Sequence, residues 1–161
     1  MEASLTLPTT TDRATLHAAL LPQVRALIEG ETDTIAAMAN VAAAVHEAFR
    51  WHWVGFYRVV GNELVLGPFQ GPVACTRIAL GRGVCGTAWK EDRVLVVPDV
   101  DLFPGHIACS ALSRSEVVIP IHDHQGRVVA VLDIDSSLAD DFSAADVEGL
   151  TVLCRSMEPL G

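Results

Sequence analysis

His52-Trp-Val-Gly-Phe-Tyr-Arg-Val-Val-Gly-Asn-Glu-Leu-Val-Leu66 decides the fold class. The run from His52 to Val60 is rich in aromatic and β-branched residues, and Gly61-Asn62 is a turn signal before Leu64-Val65-Leu66. The segment reads as a β-hairpin. Working outward, Glu116–Ile121 and Arg127–Asp135 make a second hairpin across the turn Asp123–Gly126. Between the two, a Gly/Pro-rich stretch from Gly67 to Val73 leads to a short strand around Thr76–Leu80. Gly81, Gly83 and Gly86 bracket a short helix running towards Glu91, and Val94–Val97 is another strand. From Pro98 to Arg114 no periodicity is visible, and a loop of that length inside a compact domain is more often functional than idle.

Helices flank this β-rich middle. Leu16, Leu20, Val24, Leu27 and Ile28 recur at helical spacing, with Pro22 expected to kink or divide the segment and Gly30 to end it. Asp33 caps a second helix whose Ile35, Met38, Ala42, Val45 and Phe49 form an apolar stripe. Near the C-terminus Ser143 caps a last helix, with Asp146 three residues on and Val147, Leu150, Cys154 and Met157 on one face. Hairpin-joined strands preceded and followed by helices indicate an α+β domain, with an antiparallel sheet of about five or six strands and helices mainly on one face.

Composition narrows the function. The 161 residues carry 11 Lys+Arg against 20 Asp+Glu, a formal charge of −9. The basic residues are scattered rather than arrayed in a stripe, which argues against a nucleic-acid partner. No apolar run reaches the roughly 18 residues of a membrane span. Met1–Arg13 has neither a basic nor an apolar leader region, so a cytoplasmic, reducing location is expected. Half the residues are hydrophobic and 19% charged, enough for one core and against a disordered chain. A domain of this length buries roughly 69% of its unfolded surface without staples.

Three of the four cysteines call for an explanation. Cys75 follows the Gly/Pro-rich stretch, Cys85 stands at the expected start of a helix, and Cys109 lies in the long loop. A helix N-terminus stabilises a thiolate, so the Cys85 pKa is expected to be depressed. His106 and Arg114 are potential thiolate stabilisers for Cys109. Cys154, inside an apolar helical pattern, reads as a core residue. Zinc fits poorly: none of these cysteines forms a short C-x₂₋₄-C clip, and His106-x-x-Cys109 offers two ligands at most, so no metal site is expected.

The carboxylates form a second constellation. Strand alternation over Arg127–Asp135 puts Val129, Val131, Asp133 and Asp135 on one face and Val128, Ala130, Leu132 and Ile134 on the other. Glu116 opens the paired strand. Three carboxylates converging on one sheet end require a compensating cation or a raised pKa. A ligand ammonium supplies the first and a proton-donating acid the second; a solvated sheet edge is the bland alternative. Trp53, Phe56 and Tyr57 occupy both faces of the first strand, and an exposed Trp53 would pack a ligand methyl or sulfur group.

These residues occur in an order that resembles a known family. Trp53-Val-Gly-Phe-Tyr57, Leu66-Gly-Pro-Phe-Gln-Gly71, Ala74-Cys75, Gly81-Arg-Gly-Val-Cys-Gly-Thr87, Val97-Pro-Asp-Val100, Phe103-Pro-Gly-His-Ile-Ala-Cys109, Ser113-Arg-Ser-Glu116 and Leu132-Asp-Ile-Asp135 are similar to the motifs of the free methionine-(R)-sulfoxide reductases, which are GAF-domain enzymes. The similarity runs from about residue 27 to residue 154, leaving 1–26 as an N-terminal helical extension of a single GAF domain. The Ser-Ala-Leu that follows Cys109 departs from the more polar stretch expected there.

The resemblance implies a set of roles. Cys109 attacks the sulfoxide sulfur, Cys75 resolves the resulting sulfenic acid as a disulfide, and Cys85 is a third thiol of unsettled role. Trp53, Tyr57, Glu116, Asp133 and Asp135 bind the substrate, free methionine (R)-sulfoxide. No resident cofactor is implied; an external dithiol such as thioredoxin restores the thiols, and the chain forms a homodimer. The residues leave the proton donor open among Glu116, Asp133 and Asp135, and also whether Cys85 joins the disulfide cycle. A non-catalytic GAF module that senses a small molecule or switches through a Cys75–Cys109 disulfide is the competing reading, since GAF domains are commonly regulatory.

Overall fold

The computed structural model describes residues 4–107 and 109–158, so Ala108 of the Phe103–Cys109 motif and the first three residues of the leader reading lie outside the described residues. Six strands form one antiparallel sheet: β1 (Trp53–Val60), β2 (Glu63–Gln70), β3 (Arg77–Ala79), β4 (Leu95–Val97), β5 (Ser115–His122) and β6 (Val128–Ser136). Their spatial order is β3-β2-β1-β6-β5-β4. The two hairpins read from the sequence, β1–β2 and β5–β6, therefore lie side by side at the centre, joined through the β1–β6 ladder.

Three helices, α1 (Arg13–Ile28), α2 (Thr34–Phe49) and α4 (Ala144–Met157), cover one face. Their stripes meet Val54 and Phe56 of β1, Val117, Ile119 and Ile121 of β5, and Ala130, Leu132 and Ile134 of β6 in the larger core. Asp33 caps α2 by accepting from the Ala36 N–H at 3.0 Å. Ser143 and Asp146 cap α4 reciprocally. Helix α3 (Gly83–Glu91) lies on the opposite face, over a smaller core that includes Trp53, Tyr57, Val118 and Val131. The site belongs to this second face.

Several local expectations are corrected. Pro22 does not divide α1, which runs through it. The lost backbone bond falls at exposed Ala18, and the next carbonyl, Ala19, accepts from the Gln23 side chain at 2.8 Å. The first part of the Gly/Pro-rich stretch, Gly67–Gln70, continues β2, because Val54 and Gly55 pair with Gln70 and Phe69. The alternation along β6 breaks at its start. A register shift between Ile121 and His122 places Val129 against the helical core and Val128 against the smaller one, the reverse of strict alternation. In α2, Ile35 is 42% exposed, and Ala37, Val41 and Ala44 complete the buried face instead. Val147 is only half-buried; Leu153 takes its place in the core.

A polar network ties the helical layer together. Asp146 is fully buried, accepts the Arg13 guanidinium at 3.0 Å and lies 2.9 Å from His17 Nε2. Burial pushes its carboxyl up, but His17, the Ser143 backbone N–H and Arg13 more than reverse this and hold it below the usual range. Gly149 of α4 lies so close to the His17 ring that a Cβ there would collide with it. Arg13 also bonds Asp141 at 2.8 Å, and Asp141 accepts from Ser136 Oγ at 2.6 Å, linking the helices to the end of β6.

Candidate active site

The cross-strand register gathers the predicted residues. Glu116 pairs with Asp135 across β5–β6, and Asp135 pairs with Trp53 across β1–β6. One step along the same face, Gly55 pairs with Asp133, and Tyr57 follows opposite Val131. Two-residue periodicity on adjacent strands thus sends Trp53, Tyr57, Glu116, Asp133 and Asp135 to one side. Gly55 carries no side chain, and the Trp53 ring and Phe69 occupy the space that a Cβ would need. All five residues line a cavity of about 40 Å³ together with Cys85, His106, Cys109, Ser110 and Ser113.

Cys75 and Cys109 are joined in a disulfide, with Cα atoms 5.8 Å apart. The two cysteines are 34 positions apart in sequence, with a loop of no evident periodicity before Cys109; the fold closes that distance. The segment from Pro98 contains a one-turn 3₁₀ helix, Val100–Leu102, and its far end is held by the Arg114 N–H bonded to the Ser136 carbonyl at 2.8 Å. The other cysteine segment is held by the aromatic pair. Trp53 Nε1 donates to the Pro72 carbonyl at 3.0 Å, and the Tyr57 hydroxyl donates to the Cys75 carbonyl at 2.9 Å.

Trp53 is 4% exposed and stacks on Phe69, with ring centroids 5.2 Å apart. Trp53 is thus enclosed rather than exposed, by the cross-strand stack and the segment at Pro72, and it still lines the cavity. Phe56 points into the helical core, as one of the three aromatics had to. Cys85 also departs from expectation. It stands near the N-terminus of α3, but burial, then Asp133 and Glu116, push its thiol well above the usual range. Neighbouring carboxylates and desolvation outweigh the helix end.

The three carboxylates are held in unlike surroundings. Burial is the main cause of a raised pKa at each. Repulsion from Asp135 adds to the rise at Glu116 and at Asp133. Glu116 and Asp133 are hydrogen-bonded to each other, the arrangement of two carboxyls sharing a proton. Asp135 instead accepts from Ser113 Oγ and has His106 and His52 nearby, all three favouring its charged form. His106 Nε2 is 3.5 Å from Glu116 Oε2. His52 lies 3.0 Å from Ser110 Oγ. His52, Ser110 and Ser113 carry no site role in the sequence reading, since His52 lies at the very start of the expected strand and the two serines in the aperiodic loop, where alternation carries no signal.

The GAF domain family matches residues 33–158. GAF domain-containing protein A of Dictyostelium discoideum is 54% identical over 86% of this chain and 88% of its own length. The free methionine-R-sulfoxide reductase of Escherichia coli is 43% identical over 91% of this chain and 89% of its own. The crystal structure of the free methionine-R-sulfoxide reductase of Neisseria meningitidis with its substrate superposes with a TM-score of 0.94 at 48% identity, covering 98% of this chain and 94% of that one. A GAF fold that presents a thiol pair and a carboxylate cluster on one sheet face, at this level of identity, places the chain in the family of free methionine-R-sulfoxide reductases.

Proposed function

We propose that this protein reduces free L-methionine (R)-S-oxide to L-methionine, with Cys109 as nucleophile and Cys75 as resolving thiol. The observation that carries the reading is the Cys75–Cys109 bond formed at a cavity lined by Glu116, Asp133 and Asp135. In the reduced protein the Cys109 thiolate attacks the sulfoxide sulfur, and the oxygen takes a proton supplied by the site. The hydroxyl passes from that sulfur to the Cys109 sulfur as the transient S–S bond breaks and its electron pair returns to the methionine sulfur. The products are methionine and a Cys109 sulfenic acid. The Cys75 thiol then attacks the Cys109 sulfur, water departs and the disulfide forms. An external dithiol, of the thioredoxin kind, reduces it by exchange and is itself oxidised. No resident cofactor enters the cycle.

The environments divide the carboxylates. Asp135, whose charged form is favoured by Ser113, His106 and His52, holds the substrate ammonium. Glu116 and Asp133, hydrogen-bonded and pushed up together, retain a proton and donate it to the departing oxygen. Trp53 and Tyr57 wall the side chain of the substrate. An ammonium site of this kind selects the free amino acid over a residue within a peptide.

The test is turnover of separate epimers. Reduced protein with dithiothreitol or thioredoxin is incubated with each methionine sulfoxide epimer and free methionine is measured. Release from the R epimer is expected; none would leave the competing sensor reading in possession of the fold.

A further inference from the structure

The thiol of Cys85 has no part in the cycle proposed above, yet it is buried against two of the three carboxylates. Its Sγ lies 4.0 Å from Glu116 Oε1. One donor atom each from Cys85, Glu116 and Asp133 fall within 4.8 Å of one another. His106 Nε2, 3.5 Å from Glu116 Oε2, brings a nitrogen to the edge of the group. A second observation is independent of that clustering: Asp133 is 6% exposed, and its Oδ1 is buried without a hydrogen-bond partner. Among the described residues no arginine or lysine forms an ion pair with Glu116, Asp133 or Asp135. A cation that displaces the proton shared by Glu116 and Asp133 would also satisfy that orphaned oxygen.

We infer that Cys85, Glu116 and Asp133 form a binding site for a thiophilic divalent cation of the zinc class. A donor set of one sulfur and two carboxylate oxygens suits zinc or cobalt(II), and disfavours magnesium and calcium, which take oxygen ligands. The cavity of about 40 Å³ reaches all three residues. Because Glu116 and Asp133 belong to the proposed substrate site, a bound ion excludes the amino acid. That consequence rests on the reductase reading; the site itself does not.

The disulfide form gives a direct test, since its free cysteines are Cys85 and Cys154, and Cys154 packs in the other core. Oxidised protein is titrated with cobalt(II), and the thiolate-to-cobalt charge-transfer band is followed, without substrate or turnover. We expect a one-to-one complex that zinc displaces and magnesium does not. Cys85→Ser should remove the band, Cys154→Ser should keep it, and Asp133→Asn should weaken binding by at least about tenfold. Circular dichroism checks that each variant is folded, and Glu116→Gln replaces any that is not. Absence of the band in the oxidised protein, its persistence in Cys85→Ser, or displacement by magnesium would overturn the proposal.

Discussion

Glu116 and Asp135 face each other as a register pair on β5 and β6, with Asp133 two residues along the same face and hydrogen-bonded to Glu116. Adjacent strands hold such pairs roughly 4.5–5.5 Å apart at Cβ, where like charges are destabilising. The fold tolerates this conflict because the opposite face of both strands, Val117, Ile119 and Ile121 on β5 and Ala130, Leu132 and Ile134 on β6, packs in the apolar core beneath three helices.

The carboxylate cluster should be a stability liability. Glu116 and Asp133 have folded pKa values above their ordinary 4.5 and 3.8. A raised group contributes stability that is full below its ordinary pKa and is lost as pH rises through the folded value. Asp133→Asn is therefore expected to raise stability at neutral pH by about 1 kcal/mol, and to flatten the fall in stability above pH 4. Urea denaturation at several pH values checks this, and an unchanged pH slope would count against the assignment.

The same groups should govern turnover. A general acid is active while protonated, so kcat should decline as pH rises through the elevated pKa of the Glu116–Asp133 pair. Glu116→Gln is expected to lower kcat by about 10²-fold or more. Asp135→Asn, altering the ammonium contact, should act mainly on KM. Steady-state pH profiles of both variants separate the two roles.

For the thiols, Cys109→Ser should abolish methionine formation. Cys75→Ser should release about one equivalent of methionine per chain in a single-turnover burst before stalling at the sulfenic acid. Rapid quench with methionine detection reads both, and a missing burst excludes Cys75 as a purely resolving residue.

Gly55→Ala probes the packing behind the substrate wall. Its Cβ would meet Phe69 Cβ and come 2.8 Å from Trp53 Cζ3, so the Trp53–Phe69 stack must shift. A loss of about 1–3 kcal/mol is expected from overpacking, with KM raised because Trp53 no longer lines the cavity as it did. Equilibrium unfolding and KM are measured on the same preparation.

Asp146→Ala removes the buried partner of His17 and Arg13 and half of the α4 capping box. The expected cost is about 3 kcal/mol, roughly 6–12 °C in Tm. Because the Asp146 pKa is lowered in the folded state, its contribution is present above its ordinary 3.8 and lost as pH falls through the folded value. The variant should therefore lose the part of acid destabilisation due to this group, visible as a shallower decline in Tm below pH 4.

Much of this molecule can be read from local pattern. Both hairpins, the caps at Asp33 and Ser143 and the placement of Asp133 and Asp135 on one face of β6 follow from turn chemistry and two-residue periodicity, which act over a few residues. So does the separation of Cys154, a helix-core residue, from the cysteines of the motif.

What required the tertiary structure was set by partners distant in the chain. Cys85 has an elevated thiol pKa because burial, and then Asp133 and Glu116, act on a helix start that, taken alone, favours a thiolate. Trp53 is buried because Phe69 and the Pro72 carbonyl come to it from β2 and the segment beyond. Asp146 reads as a capping residue and is also the buried anchor of His17, 129 positions earlier. The sequence by itself determined which faces are apolar and which residues can bear chemistry, since those are properties of short segments. Only the tertiary structure decided their charge states, because burial and the fields of neighbouring groups exist only once the strands pair.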